Sequence, residues 1–269
     1  MESVYLKLDL MAAWAVAKKD LKSYYARPGA IMFGIMFPLF MFLSFIVGRN
    51  IPLEEALPGL TSMVVMFSAS SIGPFSIPLE RRLKTFDRLL SAPISFQSIM
   101  AGKVLAGALY GLAIGFIPIA VGSALGTNVS DYISLFFGLL LSSMCFAAMG
   151  VMFAAFPTDY PGNVTIAMNF VRLPMLFISG VFIPLKDAPL AMKLIALISP
   201  LTYANDIAKL SFGSEGILNP ALDLIGLSFF TLLFTALGTM LHHRLQGWAE
   251  GLKVPGRALS GLAAPVKSK

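Results

Sequence analysis

Charge is what this chain has least of. Only 13% of its 269 residues are Asp, Glu, Lys or Arg, while 57% are hydrophobic; soluble domains carry about 25% charged residues. So small a share cannot solvate a globular surface, which excludes an ordinary soluble domain and leaves an all-α polytopic membrane protein. The single Cys145 excludes an intrachain disulfide and lies in an apolar run, where a buried, inert thiol is expected. His242 and His243 are the only histidines. As chain neighbours they project about 100° apart on a helix, so no metal site is expected from them. Nothing reads G-x-x-x-x-G-K-[ST], so this chain does not bind nucleotide by a P-loop. Carboxylates lie almost wholly outside the apolar runs, so the acid relay of an ion-driven transporter is not evident. No catalytic residues are expected.

What is present is a succession of apolar runs with polar punctuation. Glu2, Lys7, Asp9, Lys18, Lys19, Asp20 and Lys22 recur too often for a signal peptide. Leu6, Leu10, Trp14, Ala17 and Leu21 fall on one helical stripe. Residues 1–28 therefore read as an amphipathic helix, either lying in the membrane interface or packed on the protein's own cytoplasmic face. Arg27-Pro28-Gly29 ends it.

Residues 29–241 read as six transmembrane spans, at about 30–48, 57–79, 104–125, 132–156, 163–185 and 224–241. The first covers roughly 28 Å at 1.5 Å per residue, with Pro38 as an expected kink. Gly73, Pro74 and Pro78 make the end of the second irregular. Gly107, Gly111 and Gly115 give the third a small-residue face for a neighbouring helix, in this chain or in a second copy. Residues 126–131 form a tight polar turn. Gly180, Pro184, Pro189 and Pro200 interrupt 179–200 too often for a simple span, and half-inserted helices fit there. Residues 242–269 are a basic tail.

Orientation follows from Lys and Arg. The N-terminal segment (Lys7, Lys18, Lys19, Lys22, Arg27), the island at 80–103 (Arg81, Arg82, Lys84, Arg88, Lys103) and the tail (Arg244, Lys253, Arg257, Lys267, Lys269) hold fifteen. The opposite side holds four: Arg49, Lys186, Lys193 and Lys209. Both termini and the island are thus expected in the cytoplasm. This bias also explains the net charge of +6, which says nothing about nucleic acid. The remaining base, Arg172, sits inside the fifth apolar run. It either snorkels to the surface, bonds Asn169 three residues earlier, or lines a substrate path with Asn169, Phe177 and Ser179.

The island is the most informative stretch. Glu80, Arg81, Arg82, Lys84, Asp87 and Arg88 precede Leu89-Leu90-Ser91-Ala92-Pro93. A short helix should end near Ser91 or Ala92, because the residue before a proline leaves helical geometry. Thr85, Phe86, Leu89 and Leu90 offer it an apolar and hydroxyl surface. The stretch reads as a solvated linker or as a docking helix for a cytoplasmic partner.

T-F-D-R-L-L-S-A-P-I-S at 85–95 resembles the cytoplasmic segment between spans two and three of type-2 ATP-binding-cassette (ABC) permeases. That segment reads Glu, a few residues, G-T-[LF]-[ED]-x-L-x-x-[TS]-P-[IV]-S, then a lysine. Glu80, Thr85, Phe86, Asp87, Leu89, Pro93, Ile94, Ser95 and Lys103 match. Ala92 replaces the common Thr or Ser, and Lys84 the common Gly. P-M-L-F-I-S-G-V-F-I-P-L from Pro174, Pro189, and S-P-L-T-Y ending at Tyr203 are similar to the family's signature around span five. The resemblance implies the permease subunit of an ABC exporter, in the cell membrane, paired with a second permease chain and a separate ATPase subunit that supplies ATP and Mg. It implies that 80–93 is a coupling helix, with Glu80, Arg81, Arg82, Thr85, Phe86, Asp87, Arg88, Leu89 and Pro93 at the ATPase contact, and that 179–200 forms re-entrant helices between spans five and six. A secondary transporter or channel, or a non-transporting assembly subunit, is the alternative. Cargo identity is not written in these residues, although spans rich in Phe and Met lean toward something hydrophobic or amphipathic.

Overall fold

The computed structural model describes residues 2–24, 28–46, 52–183, 185 and 188–252. Arg27, Arg49, Pro184, Lys186, Asp187 and the tail from Lys253 lie outside the described residues. Apolar runs in a low-dielectric medium must satisfy their backbone groups internally, and helices do so. The elements are α1 (Glu2–Tyr24), α2 (Pro28–Ile31), a π-helical turn (Met32–Met36), α3 (Phe37–Ile46), α4 (Leu53–Ala69), α5 (Ile72–Arg82), α6 (Thr85–Leu90), α7 (Phe96–Ala124), α8 (Tyr132–Phe153), α9 (Pro161–Ile178), α10 (Leu190–Ala196), α11 (Pro200–Ser211) and α12 (Pro220–Leu252). Among the described residues there is no strand.

Four stretches are long and apolar enough to cross a membrane: Leu53–Arg82, Phe96–Ala124, Tyr132–Phe153 and Pro220–Arg244. The runs expected at 30–48 and 163–185 form shorter or more polar helices: an apolar piece at Gly34–Ser44, and α9 with its Asn169 and Arg172. The irregularity expected at Pro38 takes the form of the π-turn just upstream, since Pro38 has no N–H for the preceding turn.

The run expected as one span at 57–79 is two helices meeting at Ser70-Ser71. Both serine hydroxyls turn back on their own helix, to the carbonyls of Met66 and Phe67. Pro74 falls in the first turn of α5, where its missing N–H costs nothing. Around this bent pair the bundle closes. The small-residue face of α7 meets α4 of the same chain: a Cβ at Gly107 would lie 2.7 Å from the Ala69 carbonyl oxygen, and one at Gly115 would lie 2.5 Å from Val65 Cγ2. On its other sides α8 packs on α7, α11 and α12, and Cys145 is fully buried among them. Asp131 caps α8 by accepting from the Ile133 and Ser134 N–H groups.

Helix α1 lies along α7 through Ala13, Val16, Ala17 and Asp20, a face of mostly small residues that brings its backbone against Gly102. The expected stripe is thereby split. Ala17 is buried and Leu21 packs beside it, but Leu10 and Trp14 face outward. Small side chains allowed the closer approach, so they took the inner face.

Candidate functional site

The island folds as a helix end, a turn and a second short helix. Helix α5 ends with Glu80-Arg81-Arg82, Leu83-Lys84 turn the chain, and α6 runs from Thr85 to Leu90. It stops at Ser91, whose N–H donates to the Asp87 carbonyl at 3.0 Å, two residues before Pro93 as the sequence predicts. Lys84 has φ 55°, and among the described residues it is the one non-glycine in the left-handed region. That accounts for the glycine common at this position in the resembling family: the chain makes a left-handed turn, and Lys84 makes it at a cost of roughly 1–2 kcal/mol.

Behind the turn lies a buried charge cluster joining three helices. Lys103 Nζ on α7 donates to Asp20 Oδ2 on α1 at 3.0 Å, to Glu80 Oε2 on α5 at 2.8 Å and to Ser76 Oγ at 3.4 Å. Lys103 and Asp20 are wholly buried. Lys19, 43% exposed, bridges Asp20 at 2.9 Å and also bonds Glu80. Two cations and two carboxylates cancel, the condition under which burying them is tolerable. Burial opposes the charged form of Lys19, but Asp20 and Glu80 outweigh it and hold its pKa above the usual lysine value.

This geometry sorts the nine residues expected at a partner contact. Arg82, Thr85, Asp87, Arg88 and Pro93 are exposed. Arg82 lies over the Tyr160 ring, 5.4 Å from its centroid. Glu80 is turned inward to the cluster, and Phe86 is buried with Ile77, Ile99, Met100, Val151 and Ala154. Leu89 packs against that same group. Arg81 reaches sideways, donating to the Phe156 carbonyl at 3.1 Å and to His242 Nδ1 at 3.3 Å. His242 Nε2 in turn lies 2.9 Å from the Val151 carbonyl, so the imidazole is neutral with its proton on Nε2. Glu80 and Phe86 thus fasten the island to the bundle, because each faces the side where α7 lies. Sequence reasoning missed Asp20, Lys19 and His242 as partners. A signal existed for Asp20, which continues the small-residue face of Ala13 and Ala17.

Of the residues expected along a path, the structure joins Asn169 and Arg172. Arg172 is wholly buried, donates to Ser70 Oγ at 2.6 Å and to Asn169 Oδ1 at 3.4 Å, and stands over the Phe67 ring at 5.1 Å. It does not snorkel. Ser179 closes α9, its hydroxyl donating to the Leu176 carbonyl, while Phe177 is partly exposed against Phe182. These two lie roughly 8–10 Å further along the helix axis. Beyond Ser179, Gly180 (φ 78°) turns the chain toward α10 and α11, and Lys209 donates to the Gly180 carbonyl at 3.1 Å. Among the described residues no group of three His, Cys, Asp or Glu comes together as metal ligands would.

The family described as ABC-2 type transporter matches residues 11–212. Nodulation protein J of Rhizobium leguminosarum bv. viciae is 23% identical over 171 residues, which are 61% of this chain. The match spans 63% of that relative's length, less than two thirds of it.

Proposed function

Since the chain belongs to the ABC-2 type transporter family, a family of multi-pass membrane proteins, we propose that it is the permease subunit of an ATP-driven exporter in the cell membrane. Six spans, 1–28 as an interfacial helix, and cytoplasmic termini and island make up the arrangement. Helix α6 docks on a separate ATPase subunit, which binds ATP and Mg. A second permease chain completes the path, and 179–200 with α10 forms its re-entrant outer closure. Cargo moves by alternating access at the interface of the two chains.

One observation carries the reading: a mixed-charge surface on a short helix, rigidly tied to the spans. Arg82 at the end of α5 and Asp87 and Arg88 on α6 are exposed. Helix α6 packs on the bundle through Phe86 and Leu89, and the end of α5 that leads into it is tied to α1 and α7 through Glu80, Lys103 and Asp20. A push on α6 therefore moves packed helices as a body instead of bending a loop. The exposed Leu83 and Leu90 supply apolar contact beside these charges. The Arg82→Glu/Arg88→Glu double variant tests it. It should fold normally yet co-purify with its ATPase about tenfold less well, with ATPase stimulation lost to match. Normal pull-down and normal stimulation would show that the island is not the coupling element.

A further inference from the structure

Arg172 is the largest fully buried side chain among the described residues, and no carboxylate there pairs with it. Its neighbours are a hydroxyl, an amide carbonyl and an aromatic face. Such groups orient a guanidinium, but none carries the opposite charge that offsets desolvation. Where this chain buries a lysine for structural ends, it surrounds it with Asp20 and Glu80. At Arg172 the negative charge has been left out. Moreover, its Nε–H has no acceptor among the described residues. Nε and a neighbouring Nη form one edge of the planar fork that suits a carboxylate or phosphate.

We infer that Arg172 receives the acidic group, a carboxylate or phosphate ester, of an amphipathic ligand. Of the three groups touching the guanidinium, Ser70 and Phe67 are fully buried and Asn169 alone is partly exposed, so the ligand enters past Asn169. The outer face of α9 beside it is open and apolar: Ile166, Phe170 and Phe177 are 60%, 77% and 45% exposed. They follow at intervals of four and seven residues and so form one stripe, along which an alkyl body lies. That this ligand is the exporter's cargo rests on the permease reading; the binding site does not.

The test is head-group preference in the full-length chain, reconstituted in phosphatidylcholine nanodiscs, with binding to empty discs subtracted. Radiolabelled oleate should bind at least about tenfold more tightly than oleyl alcohol, the preference a charge-assisted hydrogen bond confers. Dioleoyl phosphatidate should likewise bind more tightly than dioleoylglycerol. Arg172→Gln should bring oleate down to the level of the alcohol and leave alcohol binding unchanged, while Arg172→Lys keeps most of the preference. Millimolar inorganic phosphate should leave oleate bound. Equal binding of oleate and oleyl alcohol to the unaltered protein would overturn the inference, whether or not Arg172→Gln folds. So would displacement by inorganic phosphate, or a preference surviving in a folded Arg172→Gln protein. Neither ATP nor the ATPase enters this assay. A protein with normal ATPase coupling and no head-group preference would lose the site and keep the permease reading.

Discussion

Two buried cations divide this molecule. Lys103 sits near the island among Asp20, Glu80 and Lys19, and charge is balanced within a few ångströms. Arg172, on α9, has Ser70, Asn169 and Phe67, all of them neutral. Both are wholly buried, so exposure does not distinguish them. Counter-charge does. A self-neutralised cluster holds helices in one arrangement, because any relative movement separates charges in a low dielectric. A cation with neutral neighbours gives up little when those neighbours change, which suits a place where helices rearrange or a ligand arrives.

The largest expected effect comes from breaking the balanced site. Lys103→Met strands Asp20 and Glu80 and should destabilise the protein by about 3–5 kcal/mol, seen as a lowered Tm in nanodiscs. Adding Asp20→Asn and Glu80→Gln to that variant should recover much of the loss. Without such recovery, the cluster would not be held together by charge.

Arg172→Met strands no carboxylate among the described residues. Its cost should not exceed about 1–2 kcal/mol, the worth of the hydrogen bonds it removes. A loss equal to that of Lys103→Met would erase the contrast between the two sites. Smaller again is the turn beside the cluster: Lys84→Gly should stabilise by about 1 kcal/mol, since glycine adopts the left-handed backbone freely. No gain in Tm would mean that the Lys84 side chain makes up for its strain.

The smallest effect concerns pH along α1. Asp9 accepts from the Ser98 and Ser95 hydroxyls at 2.7 and 2.9 Å, and these bonds hold its pKa below the usual aspartate value. Its contribution is therefore present above the unfolded pKa, about 3.9, and fades as pH falls through the lower folded value. Lys19 behaves oppositely. Its pKa is raised, so its contribution is full below the unfolded value of about 10.4 and fades as pH climbs through the higher folded one. Hydrogen exchange in α1 should then be protected evenly across neutral pH. It should loosen only at the extremes, and Asp9→Asn should remove the acid limb alone. A step in protection near neutrality would mean that another group governs how α1 is held.

Much of this was legible in the chain. Long charge-free runs announced membrane helices, since nothing else satisfies a backbone there. Pro93 marked the end of α6, and the polar turn before α8 carries its Asp131 cap. Helices also extend past the expected spans. Helix α7 starts at Phe96, capped by Ser95, eight residues before the span expected at 104–125, and it carries Lys103, which Asp20 and Glu80 neutralise. Helix α12 runs on through Leu252, taking His242 and His243 out of the expected tail; the Val151 carbonyl and the Phe96 ring give those side chains a place. The bend at Ser70-Ser71 was not anticipated. Two serines in an apolar run look like any helix interior until a partner such as Arg172 is known to meet them.

Local hydropathy and proline were enough to show that the chain is helical and roughly where its long apolar helices run, since those constraints are set within a few residues. Only the tertiary structure decided partnership. Glu80 faces Lys103 across 23 positions and Asp20 faces it across 83, while Arg172 meets Ser70 across 102. A carboxylate's effect depends on distances of a few ångströms, and chain order does not encode them. For that reason the sequence placed Lys103 in a charged island and Arg172 in an apolar run, and only the structure shows that both are buried and that Lys103 is the one set among carboxylates.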